Sequence, residues 1–178
     1  MSKKSSAKRV TLCAVCIALC YALPLAFHSV GLGGTLSPMH IPVLLCGLVC
    51  GGPSGFICGI IGPMLSSLLS GMPPATMLIR MIPELAVYGL VGGMAMRKIR
   101  TGSFTADVYI SLILAMIFGR IAGGIATAVF FMVTSGVYSL TLWFASYFAE
   151  SIPGIVAHLV LVPVLYFALK KARLVPQR

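Results

Sequence analysis

Four ionisable side chains, Arg80, Glu84, Arg120 and Glu150, stand inside otherwise apolar stretches of the chain. A charge at a bilayer centre costs about 3 kcal/mol on insertion scales, so such groups face a protein interior or a wet cavity. Arg80, Glu84 and Tyr88 recur at i, i+4 and i+8, which puts them on one helical face. Two chemistries suit the set. Salt bridges Arg80–Glu84 and Arg120–Glu150 would fix helix packing. A polar pocket would instead leave a guanidinium for an anionic ligand, while the carboxylates accept hydroxyl or amine hydrogens. Trp143 and Tyr147 offer rings to stack on a ligand or cover it, although a membrane-interface aromatic belt explains most of the cluster they form with Tyr138 and Phe144. His40 is a candidate ligand contact. His158 reads as a satisfied polar packing residue.

Other chemistry is thin. Cys13 and Cys16 form a CxxC, Cys20 extends the stripe, and Cys46, Cys50 and Cys58 follow in the next apolar stretch. A thiol enzyme needs an exposed, electropositive cysteine, whereas free cysteine also behaves as a small hydrophobe, and packing is the expected role here. No GxxxxGK[ST] phosphate loop, no HExxH and no His/Cys set with zinc spacing occurs. Three acidic residues leave little acid–base capacity. The sequence therefore points to no catalytic residues, no metal and no cofactor. Uphill movement of a solute would need another subunit or an ion gradient.

The elements that must position these residues are membrane helices. The chain is 59% hydrophobic and 9% charged. At roughly 20 apolar residues per helical span it has room for about six spans and no extramembrane domain. It is expected to be a single six-helix unit, residues 1–178. Of the 13 basic residues, all but Arg80 and Arg120 fall in three clusters: Lys3 to Arg9, Arg97 to Arg100, and Lys170 to Arg178. The net charge of +10 is thus a topology signal rather than a nucleic-acid footprint, with anionic lipid contact secondary. The basic, then apolar, N-terminus has a poor cleavage context at Cys20–Pro24 and is expected to stay as a helix.

The positive-inside rule sets the count. If Ile41 to Ser70 were one span, the Arg97 cluster would lie outside; as two spans, all three clusters lie in the cytoplasm with both termini. The expected helices are Arg9–His28, His40–Cys50, Ser54–Ser70, Ala75–Arg97, Asp107–Thr134 and Leu142–Lys171, with an inner turn at Cys50 to Ser54. The outer loops 29–39, 71–74 and 135–141 then carry no Lys or Arg. The second helix is short, roughly 16 Å at 1.5 Å per residue, which leaves the Gly-rich loop before it room to dip into the membrane. Arg80, Glu84 and Glu150 fall in the outer half and Arg120 near the middle.

Small residues recur at four-residue spacing: Ala14, Ala18 and Ala22; Gly51, Gly55 and Gly59; Gly89 and Gly93; Gly119 and Gly123. Such faces let helices approach closely. Taken with the segments SPMHIPVLLCGLVCGGPSGFICGIIGPMLSSLLSGMPP from Ser37, PELAVYGLVGG from Pro83, GRIAGGIA from Gly119 and IPGIVAHLVLVPVL from Ile152, the chain resembles the substrate-binding S component of an energy-coupling factor (ECF) vitamin transporter. The resemblance covers nearly the whole chain. It implies a six-helix plasma-membrane subunit that captures a vitamin or precursor from outside under the loop after helix one. It also implies a membrane T component contacted through Ala14, Ala18 and Ala22, and two cytoplasmic ATPases. Binding groups would come from the 29–40 loop and the outer halves of helices four to six. Pantothenate is the first choice of ligand, followed by a pyridoxine-like compound or a thiamin or folate precursor. The competing classes are a membrane thiol oxidoreductase using Cys13 and Cys16, and a self-sufficient channel or secondary transporter.

Overall fold

The computed structural model describes residues 3–29, 31, 37–134, 152–172 and 174–175. Among these the chain is all helical. The helices are α1 (Lys3–Ser29), α2 (His40–Cys50), α3 (Gly52–Ser70), α4 (Ala75–Lys98), α5 (Phe104–Val133) and α6 (Ile152–Lys171). All but α2 are long and apolar enough to cross a membrane. The part of the expected sixth helix before Ile152, with Trp143, Tyr147 and Glu150, lies outside the described residues, as does most of the loop after α1.

The short α2 organises the bundle. It has 11 residues, apolar on every side after His40, and every one is buried. A helix without a polar face belongs in a core. The other helices surround it: α1, α3, α4, α5 and α6 all pack against α2, while α4 also runs between α3 and α5. The outward faces are apolar too. On α5, Ile113, Ile117, Ile121 and Ile125 are exposed at four-residue spacing, while Leu112, Ala115, Met116 and Gly119 are buried. This inversion, large aliphatics outside and small residues inside, is the pattern of a helix between lipid and protein.

The turn between α2 and α3 is tighter than the five-residue stretch expected from sequence. Gly51 alone separates the helices, with φ of 99°, and Pro53 already sits in the first turn of α3. Pro there fills a position whose N–H has no helical acceptor. Gly71, left-handed at φ 70°, ends α3. Beyond it, Ser66 Oγ donates to Met72 O and Ser67 Oγ to Pro73 O, each at 2.8 Å, and these bonds fold the 71–74 connection back over the end of α3.

The basic clusters gather at one end of the bundle. Cys50 Sγ approaches Arg9 O at 3.7 Å, and the Arg97 guanidinium lies beside Gly51. Lys170 Nζ sits 3.1 Å above the Phe104 ring, a cation–π contact that ties the end of α6 to the start of α5. The opposite end carries the α1 C-terminus, the start of α2 and the 71–74 turn.

Candidate functional site

At the end away from the basic clusters, polar side chains from three helices meet around one carbonyl. Ser37, with φ of 43°, turns its carbonyl inward just before α2. It accepts from His40 N at 3.0 Å and faces His40 Nδ1 at 3.1 Å and His158 Nε2 at 3.3 Å. A carbonyl can only accept, so both of these ring nitrogens carry hydrogen. The two imidazoles stack with centroids 5.4 Å apart, and His40 meets the Tyr88 ring edge-on at 5.3 Å. Across the α2/α4 interface, His40 Nε2 lies 3.7 Å from Glu84 Oε1. Tyr88 Oη donates to the same oxygen at 3.0 Å. All four residues are buried.

Glycine makes the approach possible. A Cβ at Gly119 on α5 would collide with the Tyr88 ring, so this glycine gives the ring its space. One turn deeper, Gly47 on α2 and Gly89 on α4 bring the backbones together. The α2 and α4 side chains can therefore meet directly.

The polar cluster floors a cavity of about 350 Å³. His40 and Ser37 belong to both. The walls come from the end of α1, the 71–74 turn and the first turns of α4. Methionines (Met39, Met72, Met77, Met81) and prolines (Pro24, Pro38, Pro73, Pro74) make up most of them, with His28 of α1 as a further polar group. No Lys, Arg, Asp or Glu lines this cavity among the described residues.

The sequence-predicted residues separate into groups. His40, Glu84 and Tyr88 come together as one network. Arg80 does not join them. Its Nε donates to Thr76 O at 3.3 Å, one turn back on its own helix. Of the two alternatives read from the sequence, the Arg80–Glu84 bridge is not seen among the described residues, and Glu84 faces His40 instead. The physical reason is position along the helix: Glu84 lies where α4 is buried against α2, while Arg80 sits one turn earlier at its less buried start. Arg120 is buried on α5, next to Gly119. Its expected partner Glu150 lies outside the described residues, with Trp143 and Tyr147. His158, read from sequence as a packing residue, is a full member of the cluster. Its one signal was a histidine in an apolar helix, and that signal names no partner.

The thiols are packing groups that stitch α1 to its neighbours. Cys13 Sγ approaches Ser54 O at 3.7 Å and Cys20 Sγ approaches Met39 O at 3.9 Å. Cys13 is half-buried and the other five cysteines are buried, all of them free. No group of three or more His, Cys, Asp or Glu is placed to hold a metal among the described residues.

A bundle of long apolar helices with a small cavity over a buried polar network is a multi-pass integral membrane protein with a solute-sized site. The family profile described as "ECF transporter, substrate-specific component" matches residues 8–166. The chain belongs to that family and is a plasma-membrane substrate-binding subunit of a transporter, not an enzyme. No curated protein and no solved structure matches it.

Proposed function

We propose that the chain is the capture subunit of an ECF-type importer for a vitamin or vitamin precursor, spanning the membrane six times with both termini in the cytoplasm. The observation that carries this reading is the Ser37–His40–Glu84–Tyr88–His158 network beneath a cavity at the end opposite the basic clusters. By the positive-inside rule the basic end is cytoplasmic, so the cavity opens outward. Ligand enters against the methionine walls and meets His40, whose ring is held by Ser37, Glu84 and Tyr88. Trp143 and Tyr147, outside the described residues, are assigned to ligand contact from the sequence. Arg120 and Glu150 are kept from the sequence as ligand or counter-charge groups, and Arg80 Nε donates to Thr76 O within the first turns of α4. Ala14, Ala18 and Ala22, exposed on α1 while Cys16 and Cys20 face inward, form the T-component contact. Two ATPases bound to that T component supply the energy.

The first test is mass spectrometry of small molecules released by denaturing the purified, detergent-solubilised protein. A stoichiometric vitamin-sized compound is expected. A protein that emerges empty from vitamin-rich medium counts against capture. His40→Ala is expected to weaken binding of the compound at least tenfold, about 1.4 kcal/mol. Unchanged affinity would remove His40 from the site.

A further inference from the structure

We propose that the basic end of the bundle holds the headgroup of an anionic phospholipid on Arg97 of α4 and Arg9 of α1. The inference goes beyond solute capture and does not depend on the compound captured. Arg97 is exposed near the end of α4. A Cβ on Gly51 would meet its Nη2, Cζ and Nε, so the guanidinium lies over the single residue between α2 and α3. Arg9 on α1 is half-buried. Its carbonyl accepts from Cys50 Sγ at 3.7 Å, and its charge lies within reach of the same thiol. Cys50 and Gly51 are adjacent, so both arginines stand at the α2–α3 turn. Neither guanidinium has a hydrogen bond or ion pair among the described residues, and Arg9 Nε is buried without a partner. Such a group calls for an anion, and its forked donors match phosphate oxygens.

The surroundings assign the anion to a lipid. Lys8, Lys98 and Arg100 are exposed at the same end and have no ion pair among the described residues. Asp107 is the acidic residue described there, and Thr101 engages it through its N–H and its hydroxyl at 2.8 Å each. This end therefore carries uncompensated positive charge. By the positive-inside rule it faces the cytoplasmic leaflet, whose anionic lipids neutralise such clusters. One turn back from Arg97 the surface becomes apolar. Met94 on α4 is 44% exposed and Phe56 on α3 is 39% exposed. They share one seam: a Cβ on Gly52 would come within 3.1 Å of Met94 Cγ, and Phe56 follows Gly52 by one turn of α3. Gly93 seats α4 on the backbone of Gly51 and Gly52, which closes this seam from inside. A phosphate on Arg97 thus stands at headgroup depth, with acyl chains laid over Met94 and Phe56. A free phosphate would leave that apolar half of the surface unused.

The test uses the full-length protein in detergent and native mass spectrometry of bound lipid. The probes are dioleoyl phosphatidylglycerol and dioleoyl phosphatidylcholine, whose chains are identical, so the comparison isolates headgroup charge. The anionic lipid is expected to bind roughly tenfold more tightly. Arg97→Gln and Arg9→Gln are each expected to weaken it about fivefold, the effect of one basic residue at an anionic surface. Lys171→Gln removes the same charge from an exposed position on α6 and is expected to leave the affinity unchanged. Melting temperatures show that each variant is folded; if one arginine variant fails to fold, the other carries the test. Equal binding of the two lipids would overturn the proposal and leave the basic end to topology or to an acidic protein partner. A preference that falls equally in all three variants would mean diffuse charge and no site. Displacement of the lipid by excess inorganic phosphate would make the site one for a free anion. None of these outcomes bears on solute capture, so the two readings fail separately.

Discussion

Glu84 Oε1 serves two partners, the Tyr88 hydroxyl at 3.0 Å and His40 Nε2 at 3.7 Å. Buried polar groups of this kind are costly when partly satisfied, so whatever positions Tyr88 also positions the site. Gly119 is that residue. A methyl group there would overlap the Tyr88 ring, which has to move and draw its hydroxyl from Glu84. Gly119→Ala is therefore expected to destabilise the protein by about 1–3 kcal/mol, the usual range for overpacking. Ligand affinity should fall with it. Thermal unfolding in detergent and titration of the bound compound check both effects. An unchanged melting temperature with full affinity would mean that the ring adapts and that Gly119 positions nothing. At this scale sequence reading did part of the work. The i, i+4 spacing placed Glu84 and Tyr88 on one face, and their hydrogen bond follows from it. The same spacing also offered Arg80 to Glu84, but Arg80 Nε turns back to Thr76 O, and Glu84 meets Tyr88 and His40 instead.

Between helices, the glycine stripes set how closely α2, α3 and α4 approach. A Cβ at Gly55 would come within 2.6 Å of Gly47 Cα and 2.7 Å of the Gly89 carbonyl carbon. These are backbone atoms that cannot swing aside. Three residues after Gly89 on the same helix, Gly92 faces only the Ala115 methyl, at an ordinary 3.4 Å. The two positions make a matched comparison. Gly89→Ala is expected to lower stability by about 1–3 kcal/mol through backbone overlap. Gly92→Ala should be neutral, or stabilising by about 0.5–1 kcal/mol, since alanine is the better helix former. Melting temperatures of the pair in one detergent decide it, and equal losses at both would show that the crossing is looser than drawn. The stripes at Gly51/Gly55/Gly59 and Gly89/Gly93 were visible in the sequence as close-approach faces. Which stripe meets which was not, because spacing fixes a face of a helix and says nothing of the helix opposite.

For the whole molecule, α1 is the helix with two sides to explain. Cys16 and Cys20 pack inward, and Ala14, Ala18 and Ala22 are exposed on the other side. Lipid would accept larger side chains there, whereas a close helix partner requires small ones. Ala18→Trp is expected to abolish co-purification with the T component and leave ligand binding within twofold of the parent protein. Normal co-purification would refute the assignment. The basic clusters collect at the far end from the cavity, so one electrostatic asymmetry runs along the bundle from solute entry to the proposed ATPase side.

The sequence by itself determined the helices, most of their described limits to within a few residues, the shortness of α2 and the gathering of basic residues at one end. The reason is the bilayer. It demands that each spanning segment satisfy its own backbone and be apolar over a set length, so one-dimensional pattern is nearly the whole of the information. Tertiary structure alone decided which buried polar groups meet. His158 and Ser37 are 121 residues apart and converge only because α6 and α2 pack with a particular rotation and offset. Rotation and offset are set by the summed packing of many side chains, and no single residue or spacing carries that sum.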